Sequence, residues 1–448
     1  MTTDHGLPTT DHGPRTTGQP DQLAIVGRRP SAVGRRSVAL LHYAGPPTVG
    51  GVEVTMAAHA RIMSADGHRV RIVAGRGAAP HPDVEMVVAP ELGSRGAEIE
   101  QIARELAGGV AGPAFEALAA GITEQLAAAL DGVDVAIAHN VLTLHKNLAF
   151  TAALHRLHMA GRAPRILAWC HDFAWCDSLY TPELHDGYPW DLLRSAWPGV
   201  CYVAVSEDRR GMLADLLGLP QERIAVVTPG VDLAAFLKLE PETAALVEQL
   251  DLLEADPLLL LPARITRRKN IEQAIAITGA LRRMGLRPRL VVSGPPGPHN
   301  PTNAAYLAQL KEVQRESEAG DSVIFLYEVF ADAAGQPRLV SDAMLADLYK
   351  LADGLLMPSR SEGFGIPIVE AGLAGIPIFC SDIAPFRETA GDAALRFDLA
   401  SPPAAVAARI AAALRDDPRA ALRRRVRRDY TWDAIYRRAI VPLLDMAR

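Results

Sequence analysis

From residue 37 onward, compact apolar runs alternate with stretches in which apolar residues recur at helical spacing. The runs Ser37–Leu41, Val70–Ala74, Val84–Val88, Val133–Ala138, Arg165–Trp169, Cys201–Val205 and Ile224–Val227 predict strands. Helical patterns lie between them at 52–65, 99–106, 114–130 and 146–159. A second set begins after Asp256, with strands predicted at Leu258–Leu261, Leu290–Ser293, Val323–Leu326, Gly354–Met357, Ile376–Cys380 and Leu395–Phe397. Helices are predicted there at 271–284, 303–317, 342–351, 367–373 and 404–414. Strands that are apolar throughout, alternating with helices, imply parallel sheets covered on both faces. The pattern therefore predicts an α/β chain of two successive doubly wound domains, over 37–228 and 257–428. The Glu-rich stretch 229–256 reads as a connector, and 429–448 as a closing amphipathic helix. Residues 419–428, rich in Arg, read as a solvated helix face.

Residues 1–36 fall outside this pattern. They are rich in Thr, Gly, Pro and Arg, and TTDHG occurs twice, at 2–6 and 9–13. Such a segment buries too little apolar area to offset its ordering entropy and is expected to be disordered. His5 and His12 there read as solvated rather than as metal ligands.

Composition changes the picture in four ways. A chain of 448 residues is too long for one hydrophobic core, which agrees with two domains. A formal net charge of -6 gives no nucleic-acid footprint. Apolar runs are too short to span a bilayer and the N-terminus lacks a secretory pattern, so the expected location is the cytoplasm, with peripheral membrane contact left open. Four cysteines, Cys170, Cys176, Cys201 and Cys380, are no disulfide framework and fit a reducing compartment. Oligomeric state is not legible.

The stretch with the most chemical content is PSRSEGFGIPIVEAGLA, residues 358–374. It reads as the end of a strand, a glycine loop and a helix. Gly363 and Gly365 allow a tight turn or a close backbone approach, and Pro367 suits a first helical turn. Free amides at a helix N-terminus attract anions, so the expected guest carries phosphate. Gly50 and Gly51, before the helix from Val52, make a weaker case of the same kind. In LLLLPARITRRKN, Arg264 and Lys269 follow a strand and suit the diphosphate of a departing nucleotide, while the adjacent Arg267 and Arg268 leave a solvated charge run as the lesser reading. His171, in AWCHDFAW, follows a strand's carboxyl end, which favours a functional over a structural reading, and Asn140, with His139 and His145, in AHNVLTLHKN, lies at another strand end, where an acceptor would be met. Asp172 is read as orienting His171, and capping is the alternative for Asn140. Cys170, His171 and Cys176 lack zinc spacing, so no metal site is expected.

The order GGVE, WCHD, PGVD, ARITRRKN and SEGFGIPIVEAGLAGIPI resembles retaining glycosyltransferases of family 4, which have the GT-B fold of two Rossmann-like domains around a nucleotide-sugar site. The resemblance covers nearly the whole chain after the tail. It implies that Glu362 contacts the donor sugar hydroxyls, that Glu370 holds the ribose diol and that Arg264 and Lys269 bind the diphosphate. It further implies that amides near Gly50, Gly51, Phe364 and Gly365 complete the donor site, that His171 lies near the transferred sugar, and that the helix from Trp432 crosses back onto the first domain. The activity implied is metal-free transfer of a hexose, with retention, from a UDP-, GDP- or ADP-sugar to a hydroxyl of a small or lipid-linked acceptor. No permanently bound cofactor is implied. An epimerase or phosphorylase of the same architecture, or a binding protein without transfer, are the rival readings. Two departures from the family pattern touch the donor pocket: Arg360 before Glu362, and the long Pro-rich loop 294–303.

Overall fold

The structure, a computed structural model, describes residues 34–48, 50–296, 302–332 and 334–446. Most of the tail expected at 1–36 lies outside the described residues, as do residues 297–301 of the Pro-rich loop.

Two parallel sheets make up the chain. The first is built from β1 (Ser37–His42), β2 (Arg69–Ala74), β3 (Val84–Val88), β4 (Val135–His139), β5 (Arg165–Cys170), β6 (Cys201–Ala204) and β7 (Ile224–Val226), in the spatial order β3-β2-β1-β4-β5-β6-β7. The second holds β8 (Leu258–Leu261), β9 (Arg289–Val292), β10 (Val323–Phe325), β11 (Gly354–Met357), β12 (Ile378–Ser381) and β13 (Leu395–Phe397), in the order β10-β9-β8-β11-β12-β13. Every neighbouring pair runs parallel. In each sheet the order of strand addition reverses once, between β1 and β4 and between β8 and β11. Ligands of open α/β sheets bind at such switch points, beyond the carboxyl ends of the strands.

The residues explain the layers. β4, β8 and β11 are buried at every position, as strands covered on both faces must be. Successive side chains of a strand point to opposite faces, so Ala39 and Leu41 join one core of the first domain while Val38 and Leu40 join the other. The first core also takes Phe115 and Phe150 from the helices Pro113–Ala129 and Leu148–Met159. The other takes Met56 and Ile62 from the helix Gly51–Ala65 and, from the far end of the chain, Trp432, Ile435, Tyr436, Ile440 and Leu443. The closing segment is helical over Trp432–Ile435, makes a π turn over Tyr436–Ile440 and resumes over Val441–Asp445.

This segment is tied to the first domain by polar contacts as well. Arg165 donates to the carbonyls of Leu443, Leu444 and Met446 at 2.7, 3.0 and 2.6 Å, satisfying oxygens that a helix end leaves free. The Tyr436 hydroxyl meets Asp66 at 2.7 Å. Where the chain passes between domains, Val231 N donates to Tyr430 O at 2.8 Å and Trp432 N donates to Val231 O at 3.2 Å. A Cβ on Gly230 would lie 2.9 Å from Trp432 Cδ2, so only glycine fits this crossing.

The stretch read as a connector, 229–256, folds instead. Helices Leu233–Leu237 and Pro241–Gln249 form within it, and Leu246, Val247 and Leu252 are buried in a core of the second domain. Its glutamates mask that apolar spacing. The Arg-rich helix Pro418–Asp429 is also not merely a solvated face. Arg427 is 3% exposed and donates to Leu351 O at 3.0 Å, Ala255 O at 2.7 Å and Asp353 Oδ2 at 2.7 Å. Replacing it with Met strands a buried carboxylate, so Arg427→Met is expected to lower the stability of the second domain by about 3–5 kcal/mol in urea unfolding. A loss below 1 kcal/mol would mean the Asp353 charge is accommodated without it.

Candidate functional site

Beyond β8 the chain makes the turn Arg267–Lys269 and passes through Asn270 at φ 51°, a left-handed conformation that Asn tolerates. Gly294, following β9, closes against this loop, since a Cβ there would lie 2.4 Å from Ala263 O. Beyond β11 the chain runs through Pro358–Gly365 into the helix Ile366–Ala374. Gly365 has φ 97°, and a Cβ on it would press within 2.8 Å of the Phe386 ring. Both constraints demand glycine at the head of that helix. Gly363 has open space around it, so its lack of a side chain leaves backbone accessible rather than relieving a clash.

The two loops meet at Glu362. Lys269 Nζ lies 2.5 Å from Oε1, Ser359 Oγ donates to the same oxygen at 2.7 Å, and Arg268 Nη1 donates to Oε2 at 2.9 Å. Lys269 is 7% exposed. Burial pushes the Glu362 carboxyl upward, but the hydrogen bonds from Lys269 and Ser359 and the Lys269 and Arg268 charges outweigh it and hold it below the usual carboxylate range. Backbone reinforces the junction, with Arg360 N on Arg268 O at 2.7 Å and Ser381 Oγ on Ser359 O at 2.5 Å. Arg360 itself donates to Asn270 Oδ1 at 2.8 Å, so it is a strut between the loops. Glu370 accepts the Tyr349 hydroxyl at 2.7 Å. Burial, with the bond to Glu370, pushes the Tyr349 phenol far up and keeps it a donor. Arg264 is exposed and forms no ion pair among the described residues; Phe364 is 54% exposed.

In the first domain the helix from Gly51 begins beyond β1. Gly51 is exposed, but a Cβ on Gly50 would lie 2.2 Å from Glu53 Oε2. A carboxylate thus already sits at that helix start. At the other side of this switch point, His139 and Asn140 end β4 and His171 follows β5. Asn140 Oδ1 accepts from His171 N at 2.7 Å and Asp172 N at 3.2 Å, and its Nδ2 donates to Asp172 Oδ2 at 3.1 Å. His139 Nδ1 lies 3.2 Å from His171 Nε2.

Two expectations change here. Asn140 is 2% exposed and His139 fully buried, so neither faces an acceptor; both secure His171. Asp172 is exposed and bonded to Asn140, so it does not orient the imidazole. His145 pairs with Glu183 at 2.9 Å. The spacing of the sequence also gave no sign of Arg268, Ser359 and Tyr349 as partners of the two glutamates, nor of His59, which contacts Trp169, Trp432 and His139 with ring centroids at 4.7, 5.4 and 5.5 Å. Burial drives His59 down to about 3 and His171 down to about 4, so both are neutral near pH 7. Among the described residues no group of three or more His, Cys, Asp or Glu is arranged to hold a metal, and all four cysteines are free.

Two family models divide the chain between them. Residues 243–429 match that of glycosyl transferases group 1, and residues 49–235 match that of Glycosyltransferase Family 4. The chain belongs to the group 1/family 4 glycosyltransferases. Its two parallel sheets are the two Rossmann-like domains of the GT-B fold. A D-inositol 3-phosphate glycosyltransferase of Kineococcus radiotolerans is 30% identical over 191 residues, 41% of this chain and 40% of that protein. An O-antigen chain mannosyltransferase B of Escherichia coli is 41% identical over 78 residues, 17% of this chain and 20% of that one. The matched stretches thus span two fifths or less of these two relatives. The structure of a glycosyltransferase of Rickettsia africae aligns over 92% of this chain and 99% of its own, at 14% identity and a TM-score of 0.35, a score at which the likeness has no weight.

The histidine cluster makes acid stability a direct readout. His59 titrates near 6.5 when unfolded and about 3 when folded, so between these values the unfolded state binds the extra proton and stability falls with falling pH. At pH 5 the His59 contribution to that loss is ~2 kcal/mol relative to pH 7. Thermal melts from pH 7 to pH 5 should therefore slope less steeply in His59→Leu than in the native chain. Parallel slopes would show that His59 takes no part.

Proposed function

We propose that the chain is a retaining hexosyltransferase using a nucleoside diphosphate sugar, UDP- or GDP-linked, as donor and a hydroxyl as acceptor, with the two switch points facing each other across the substrate cleft. The observation that carries this reading is the junction at Glu362: two acidic side chains and a set of cations brought to the carboxyl edge of one sheet, beside a helix start that glycine leaves open.

The chemistry of each group supports a role. Ionised carboxylates are pure acceptors, suited to paired sugar hydroxyls, so Glu362 takes hydroxyls of the transferred hexose and Glu370, with Tyr349 behind it, takes the ribose diol. Arg264 and Lys269 take the diphosphate, helped by amides around Phe364 and Gly365. Lys269 then has two tasks, neutralising the leaving phosphate and holding Glu362. In the reaction the bond from the anomeric carbon to the phosphate oxygen breaks and one to the acceptor oxygen forms on the same face. The acceptor proton passes to the departing phosphate. Neutral His171 contributes a hydrogen bond near the transferred sugar rather than a charge. The relatives named for D-inositol 3-phosphate support a small polar acceptor, and the free cysteines support a reducing, cytoplasmic setting.

Release of nucleoside diphosphate from UDP- and GDP-sugars, with and without polyol acceptors, tests the proposal. Acceptor-dependent release is expected for one donor; none from any donor overturns it. Lys269→Ala is expected to lower kcat on the order of 100- to 1000-fold with a smaller effect on donor binding. Turnover equal to that of the native chain removes Lys269 from the mechanism.

A further inference from the structure

His171 is held by a second histidine, and which proton each carries can be worked out. His139 Nδ1 and His171 Nε2 are 3.2 Å apart, so one must donate and the other accept. His139 Nε2 is buried with no partner. The rings packed against His139, those of His59, His171 and Trp169, lie at 43°, 33° and 37° to it, and none stands edge-to-face with it. His59 differs: its own nitrogens are also without partners, but it stands at 71° to Trp169 and 84° to Trp432, the edge-to-face arrangement in which an N–H can point at a ring.

A neutral imidazole has one N–H. If His139 carried it on Nε2, a buried donor would go unpaired, the rarest kind of unsatisfied group, and Nδ1 would wait for a proton from His171. If His139 carries it on Nδ1, the proton is used and only a lone pair is buried. His139 is also fixed through its backbone, because His42 Nδ1 lies 2.8 Å from His139 O and can only donate there. The His171 backbone N is fixed by Asn140. His171 is only partly buried, whereas His139 is fully buried.

The geometry points to His139 as a positioning residue that donates from Nδ1 to His171 Nε2, locks His171 as the Nδ1–H tautomer and so makes it present a hydrogen-bond donor, not a base, to an oxygen of the bound substrate. Burial holds both rings neutral, which keeps the arrangement intact near pH 7. The inference rests on the proposed transfer reaction only for what His171 meets; the tautomer is a property of the protein itself.

Nitrogen NMR of the full chain, with ring-labelled histidine and the His171 signal identified by its loss in His171→Ala, reads the tautomer without substrate or activity. The native chain should show His171 with a protonated Nδ1 and a bare Nε2; a protonated Nε2 overturns the proposal. In His139→Phe both His171 tautomers should be populated, and kcat should fall about two- to tenfold with donor KM little changed, as for loss of one net hydrogen bond. His139→Asn, whose Nδ2 can overlie the imidazole Nδ1, should restore both. An unchanged His171 tautomer in His139→Phe also overturns it. Failure here leaves nucleotide release unaffected, and absence of nucleotide release would leave the tautomer result standing.

Discussion

The Lys269 ammonium and the Glu362 carboxylate, 2.5 Å apart with side chains only 9% and 7% exposed, bind together the loops that leave β8 and β11. A buried pair of this kind is costly to break, about 3–5 kcal/mol when one partner is removed, because the other charge is stranded. Both loops must therefore keep their register. The chain meets that demand with small and polar residues. Ser359 and Arg268 complete the coordination of the carboxylate, and Ser381 and Arg360 fix the backbone around it. Gly294 and Gly365 allow the close approaches that larger residues would block. Glu362 is thus pointed by Arg268 and Lys269, and under the proposed function Lys269 is the one cation that also meets the diphosphate.

The first domain relies on different physics. Its switch point is a set of neutral imidazoles and amides packed against tryptophan, and the C-terminal segment covers it. Trp432 touches His59, His59 touches His139, and His139 holds His171. The segment that crosses between domains at Val231 and Tyr430 is therefore also the lid of the core beneath the His171 turn. Neutrality is what lets these rings lie together; protonation of any one would place a charge among buried groups.

Strands and helices were legible because apolar runs and helical spacing mark them directly, and the expected strands agree with those observed to within a few residues. The placement of Glu362 in the glycine loop, of Glu370 in the helix after it and of Lys269 beyond a strand was legible because the glycines and cations flank strand ends. What was hidden depended on contacts distant in sequence. Arg268 looked like part of a solvated charge run until its carbonyl and guanidinium met the 360–362 loop 92 to 94 residues away. Arg427 looked solvated for the same reason, although it pairs with Asp353 across 74 residues. The helices at 233–249 were hidden by glutamates interleaved with Leu246 and Val247. Asn140 and His139 were placed at the right strand end but given the wrong task, since position along a strand does not reveal whether a polar side chain turns inward.

The central claim is that the diphosphate and both sugars of a donor are read by the loops after β8 and β11 together. A crystal structure of the chain with a nucleoside diphosphate tests it most directly. Phosphate oxygens are expected within hydrogen-bond distance of Arg264 and Lys269, and the ribose diol on Glu370. A nucleotide bound elsewhere, or one whose ribose turns away from Glu370, would contradict it.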